Sequence, residues 1–115
     1  LVADDVLGGF FAINGGAFGD DVGMLYYLPY DDLSWKPLEI GYSEFISWCV
    51  SDQLYEFYGE DRFLDWKERC RELTADQCYC FYPFLWTTEG SVAQSDTKPT
   101  SASEAILIKF QMGQI

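Results

Sequence analysis

Residues 1–20 read LVADDVLGGFFAINGGAFGD: two short apolar runs broken by paired aspartates and paired glycines. Phe10-Phe11-Ala12-Ile13 is apolar at successive positions. An extended strand with that pattern buries both faces, as a strand in the middle of a sheet does. That strand reads as Gly9–Asn14, and Leu1–Ala3 as a shorter strand beside it, set off by Asp4-Asp5 and Gly8-Gly9. Asn14-Gly15-Gly16 is a turn signal, because Asn and Gly tolerate the backbone angles of tight turns. A loop rich in Gly and Asp continues to Gly23. The stretch therefore predicts a β-hairpin.

Outward from that hairpin, Met24–Leu28 reads as the next strand, ended by Pro29. Asp31-Asp32 opens a turn, and Ser34–Leu38 reads as a short edge strand, where Pro37 is tolerated. The first forty residues thus predict an antiparallel meander. After Gly41 the apolar period becomes helical: Phe45, Ile46, Cys49 and Val50, with Ser43 as the expected N-cap. Ser51-Asp52 is expected to cap a second short helix ending near Tyr58-Gly59. Phe63, Trp66, Cys70 and Leu73 mark a third amphipathic helix. Gln77–Tyr82 reads as an aromatic strand stopped by Pro83, and 89–100 as a polar loop. Ser101-x-x-Glu104 is a capping-box signature before Ala105–Phe110. That last segment reads as a helix, with a strand over Ile106–Ile108 as the alternative. The expected fold is α+β: an antiparallel sheet of hairpins packed with three to four α-helices, as a single domain over residues 1–115.

Charge is distributed unevenly. Twelve acids and one base, Lys36, fall in residues 1–61, leaving −11, while residues 62–115 carry −1. Four bases, Arg62, Lys67, Arg69 and Arg71, lie within ten residues. Nucleic-acid affinity comes largely from Lys and Arg neutralising phosphates, so no nucleic-acid partner is expected. No apolar run approaches the roughly 18 residues of a membrane-spanning helix, and no membrane partner is expected either. A strongly acidic surface favours solubility and basic partners: the first reading is that the acids keep an aromatic-rich chain soluble, and the functional expectation beside it is a basic protein partner.

The four cysteines, Cys49, Cys70, Cys78 and Cys80, allow three disulfide pairings. Cys78 and Cys80 are two apart in a strand and cannot easily bridge each other. A zinc site would need all four thiolates, because the chain contains no histidine. They are read as reduced, buried side chains in a cytoplasmic protein. The missing histidine also rules out Ser–His or Cys–His nucleophilic centres within these residues. Cys70, flanked by Arg69 and Arg71, raises the question of a lowered thiol pKa, set against a place on the apolar stripe.

Four acidic pairs, Asp4/Asp5, Asp20/Asp21, Asp31/Asp32 and Glu60/Asp61, invite a metal or glycosidase reading. Sequence neighbours on a strand point to opposite faces, however, and Asp is a favoured turn residue. Asn14, Asp20 and Asp21 lack the spacing of a calcium loop. Gly15, Gly16, Gly19 and Gly23 match no phosphate-binding pattern. No catalytic, cofactor-binding or metal-ligating residue is assigned, and no cofactor is expected. The aromatic cluster Tyr26-Tyr27, Tyr30, Trp35 and Tyr42 has no helical stripe to bury it, so part of it is expected at the surface. The expected partner-binding residues are Asp4, Asp5, Asp20, Asp21, Tyr27, Tyr30, Asp31, Asp32 and Trp35.

The run Val2–Gly16 closely resembles a bacterial family catalogued as domain of unknown function 2625. The similarity continues through Tyr26-Tyr27, Gly41-Tyr42-Ser43 with Phe45, Phe57-Tyr58, Asp76-Gln77 and Tyr82–Thr87. Members of that family are longer at the N-terminus, which implies that this chain is the C-terminal part of a longer protein. More distantly, the order of strands, glycine turn and Ser/Phe-started helix is similar to the Smi/Knr-type (SUKH) superfamily, many of whose bacterial members are immunity proteins that neutralise toxins. That resemblance implies a non-enzymatic binding module masking a basic toxin. The competing expectation is a sugar-binding or hydrolase domain using Asp4, Asp5, Asp20 or Asp21 with exposed aromatics.

Overall fold

The computed structural model describes residues 1–59 and 66–113. The Glu60/Asp61 pair, Arg62 and Phe63 lie outside the described residues. The fold is α+β. Four strands, β1 (Ala3–Asp4), β2 (Phe10–Ile13), β3 (Met24–Leu28) and β4 (Lys36–Gly41), form an antiparallel sheet in sequential order. This is the expected meander. Helices α1 (Tyr42–Cys49), α2 (Gln53–Tyr58) and α3 (Trp66–Arg71) follow. Strands β5 (Gln77–Tyr82) and β6 (Asp96–Ser101) form a second, two-stranded sheet, and α4 (Ala102–Gly113) is the last described element. One backbone bond, Tyr79 N–H to the Val6 carbonyl at 2.8 Å, ties the two sheets together.

The doubly apolar β2 has a physical cause in this arrangement. Phe11 pairs with Tyr27 and Ile13 with Leu25, so these side chains share one face of the sheet. There Phe11, Leu25 and Tyr27 pack with Phe45 of α1, and the Phe11 and Phe45 rings lie 5.0 Å apart. The alternate residues, Phe10 with Leu28 and Ala12 with Tyr26, face the other way. Phe10 and Leu28 pack beneath Ile106 of α4. The sheet is therefore sandwiched, with α1 on one face and α4 over Phe10 and Leu28 on the other. A third cluster, Leu7, Tyr30, Tyr79 and Phe81, joins the β1–β2 connection to β5.

Four sequence expectations need correction. The first strand is Ala3–Asp4 rather than Leu1–Ala3, although Val2 N–H still bonds the Phe11 carbonyl. The edge strand runs Lys36–Gly41 rather than Ser34–Leu38, because a bulge between Met24 and Tyr26 lets Gly41 reach Met24. Ser43 is not the N-cap of α1: β4 runs straight into the helix, and extended Gly41 takes that place with no side-chain cap. The polar 89–100 segment holds most of β6. Its polarity rules out burial, not pairing: Thr97 and Thr100 are β-branched, and Pro99 sits in a strand with one free edge. The expected capping at Ser101 is present, with its hydroxyl accepting Glu104 N–H at 3.2 Å, and Ile106–Ile108 is helical.

Candidate functional site

The two N-terminal aspartate pairs sit at opposite ends of β2. Asp4 lies opposite Phe10. Asp21 lies where Asn14 N–H meets the Met24 carbonyl. At about 3.4 Å per residue, the four-residue step from Phe10 to Asn14 separates the two ends by roughly 14 Å.

At the first end, Asp5 is a hub. Its Oδ1 accepts the backbone N–H of Leu7 at 3.0 Å and of Gly9 at 2.8 Å, which closes the β1–β2 turn. Its Oδ2 accepts the hydroxyls of Tyr27 at 3.2 Å and Tyr58 at 2.6 Å. One carboxylate thus fastens the β1–β2 turn, β3 and α2. Gly9 is required beside it, because a Cβ there would collide with the Asp5 carboxylate and meet the Tyr27 hydroxyl at 2.8 Å. Burial pushes the Tyr27 and Tyr58 hydroxyls far above their ordinary pKa, and the Asp5 charge adds to the shift. Partial desolvation of its carboxyl also raises Asp4, an otherwise exposed residue, with neighbouring Asp5 as the lesser cause.

At the same end, Lys109 of α4 is 2 % exposed. Its ammonium donates to the Pro29 carbonyl and, at 3.2 Å, to the Asp32 carbonyl, and lies 5.4 Å from the centre of the Trp86 ring. Burial lowers its pKa to about 8 against the opposing pull of Asp5, Asp31, Asp32 and Cys78. The residue lines a pocket of about 20 Å³ with Tyr30, Cys80 and Trp86, space for a single water. With two carbonyls and a ring around it, the ammonium serves as a clasp between α4 and the turn after β3.

At the far end of β2, fully buried Asn14 organises the loop. Its Oδ1 accepts Gly16 N–H at 2.8 Å and Phe18 N–H at 3.1 Å. Its Nδ2 donates to the Gly19 carbonyl at 3.2 Å and to Asp21 Oδ1 at 2.7 Å. Every polar atom of this side chain is thus used in holding the loop, which explains its burial. The loop so held delivers Phe18 onto Tyr26, with rings stacked at 4.3 Å and 14°. Trp35 leans on Phe18 at 5.1 Å and 56°. The Tyr26 hydroxyl donates to Asp21, 2.9 and 3.0 Å from its two oxygens, and that bond raises the phenol's pKa. Phe18, Tyr26 and Trp35, each half-buried, form an aromatic shelf, with Trp35 also packed against the Phe10–Leu28–Ile106 cluster under α4.

The expected partner-binding residues divide accordingly. Asp20, Asp21 and Asp31 are exposed, and Trp35 belongs to the shelf. Asp32 is held by Lys36 at 3.1 Å. Burial works against its charge, but the Leu33 N–H, Lys36 and Ser34 outweigh it and hold the carboxyl below its usual range. Tyr27 and Tyr30 are buried, and Asp5 is spent on internal bonds. Asp4 is exposed but stands at the other end of β2. Of the clustered tyrosines, Tyr42 is exposed on α1. Phe18 was absent from the expected set. Its signal was available: it is the one aromatic residue in a loop of Gly, Ala, Asp and Val.

Among the described residues, no three acidic or cysteine side chains gather to hold a metal ion. The four cysteines carry free thiols. Burial raises all of their pKa values, that of Cys78 to about 12, so the arginines beside Cys70 do not lower its thiol. No helix among the described residues is long and apolar enough to cross a membrane.

Residues 1–105 match the family model described as Protein of unknown function DUF2625. The chain belongs to that family. It is 42 % identical over 111 residues to "Putative uncharacterized protein YbfG" of Escherichia coli, a match covering 96 % of this chain and 50 % of the relative. An "Uncharacterized protein" of Haemophilus influenzae is 39 % identical over 85 residues, 74 % of this chain and 37 % of the relative. The chain thus spans half or less of the length of these two relatives. No solved structure matches.

Proposed function

We propose that this member of the family is a non-enzymatic protein-binding module whose acidic loop face takes a basic partner, in the manner of an immunity protein masking a toxin in the cytoplasm. The observation that carries the reading is the shelf of Phe18, Tyr26 and Trp35 with Asp20 and Asp21 at its rim, in a half of the chain with a single base. Apolar rings framed by charge are the usual make-up of a protein interface, with aromatic anchors inside a polar rim. The charge would steer a basic partner in and make association fast and sensitive to salt. Four free thiols suit a reducing compartment.

The test is capture from host lysate at low and high salt, followed by reconstitution of the pair from purified components and measurement of the association rate against ionic strength. A basic partner whose association slows steeply with salt supports the reading. Recovery of no basic partner under either condition overturns it.

The shelf also keeps a sugar-binding alternative in play, since aromatic faces stack on sugar rings and Asp20 and Asp21 adjoin them. Paired-carboxylate hydrolysis by all four aspartates fits less well, because Asp4 and Asp5 stand at the other end of β2. A screen of immobilised glycans separates the two: glycan binding lost in Phe18→Ala would favour the sugar.

A further inference from the structure

The chemistry of the shelf goes beyond a general preference for positive charge. Three rings from three separate segments meet there: Phe18 from the β2–β3 loop, Tyr26 from β3 and Trp35 from the β3–β4 connection. Aromatic faces carry negative potential and attract cations. Asp21 holds the polar tip of Tyr26, and exposed Asp20 precedes it in the same loop. Carboxylates and ring faces reject anions together. The local base, Lys36, is already engaged with Asp32.

The two natural cations differ in how they meet such a surface. A guanidinium is flat, weakly hydrated and able to stack on a ring while its edge donates to a carboxylate; an ammonium is compact and strongly hydrated. We infer that the Phe18–Tyr26–Trp35 shelf, with Asp20 and Asp21 at its rim, is a docking point for an arginine side chain of the basic partner. The inference rests on the proposed function and assigns its contact chemistry.

Two synthetic peptides of equal length and charge, one arginine-rich and one lysine-rich, provide the test. Each is titrated into the chain at low salt by calorimetry, with the indole N–H signal of Trp35 followed by NMR and assigned through Trp35→Phe. The arginine peptide is expected to bind tighter on the order of fivefold, the size of one exposed cation–π contact, and to shift the Trp35 signal. Phe18→Ala is expected to abolish the preference, bringing the arginine peptide's affinity down to that of the lysine peptide in the same variant. Phe18→Leu, which keeps apolar packing and removes the ring, should do the same if the alanine variant fails to fold. Equal affinities for the two peptides in the unsubstituted chain would overturn the arginine assignment and leave the basic-partner reading standing. A preference that survives both Phe18 variants would also overturn it. Failure of both peptides to bind at low salt would overturn the underlying reading as well.

Discussion

Asp5 and Asp21 occupy the two ends of the same strand, and each accepts a tyrosine hydroxyl, yet they do opposite things. Asp5 bonds Tyr27 and Tyr58, residues 22 and 53 positions away. Asp21 bonds Asn14 and Tyr26, seven and five positions away. A long-range bond holds parts of the fold that the chain does not otherwise keep together. A local bond shapes a loop and leaves the rest of the carboxylate facing water. One end of β2 is therefore an anchor and the other a presenting surface, although both are built from an Asp-Asp pair near glycines.

The largest expected effect tests that division directly. Asp5→Ala strands four donors, two backbone N–H groups and two tyrosine hydroxyls, where burial limits replacement by water. A loss of about 2–6 kcal/mol is expected from two unsatisfied donors at roughly 1–3 kcal/mol each, with water serving the rest. Asp21→Ala takes one acceptor from the buried Asn14 amide, which keeps the Gly19 carbonyl, and one from the hydroxyl of half-buried Tyr26, so it should cost about 1–2 kcal/mol. Urea unfolding of both variants checks the comparison. Equal losses would break it.

Lys109 should give the next effect, because it ties α4 down at the anchored end. Its folded pKa of about 8 lies below the ordinary 10.5. Below pH 8 the ammonium is charged in both states and its burial opposes folding. Between pH 8 and 10.5 the unfolded chain binds the extra proton, so stability from this group rises with pH. The full span corresponds to about 3 kcal/mol. The raised thiols and the Tyr27 and Tyr58 hydroxyls act the other way: the stability they contribute is lost as pH climbs past about 9 and about 10, respectively. The unsubstituted chain is therefore compared with Lys109→Met, which shares those groups. The difference in unfolding free energy should grow in favour of the unsubstituted chain across pH 8–10.5. A flat difference would mean that the ammonium is not desolvated and that the clasp is an ordinary surface contact.

How much of this was legible in the sequence follows the same line between local and long-range. The meander was legible because strand, turn and strand are read within a few residues: Asn14-Gly15-Gly16 marks the turn and Pro29 the stop. The capping box at Ser101 is likewise local. The Asp5 hub was not legible, since nothing in Asp4-Asp5 announces Tyr58 fifty-three residues later. The burial of Tyr27 and Tyr30 was missed for a related reason. Burial of a strand residue depends on which helix covers its face, and α1 and α2 supply that cover for Tyr27. The interior place of Lys109 is long-range too: it depends on the carbonyls of Pro29 and Asp32, some eighty residues earlier in the chain. The polar β6 was missed because polarity argues against burial, and a two-stranded ribbon can pair without being buried.

The smallest expected effect sharpens the presenting end. Glu39 is exposed and sits in the β3–β4 bulge with φ of 61°, the left-handed region that side chains bearing a Cβ disfavour. This bulge lies opposite Met24–Tyr26, so it shapes the edge of the sheet beside the shelf. Glu39→Gly removes the Cβ conflict but also enlarges the freedom of the unfolded chain, and the two effects partly cancel. A net gain of about 0.5 kcal/mol is expected, read as a small rise in the urea midpoint with no change in slope. The arginine preference at the shelf should be unaltered, because Glu39 touches none of its rings. A loss of that preference with stability intact would show that the bulge, and not Asn14 alone, sets where Tyr26 stands. The presenting end would then be held from both sides, as the anchored end is.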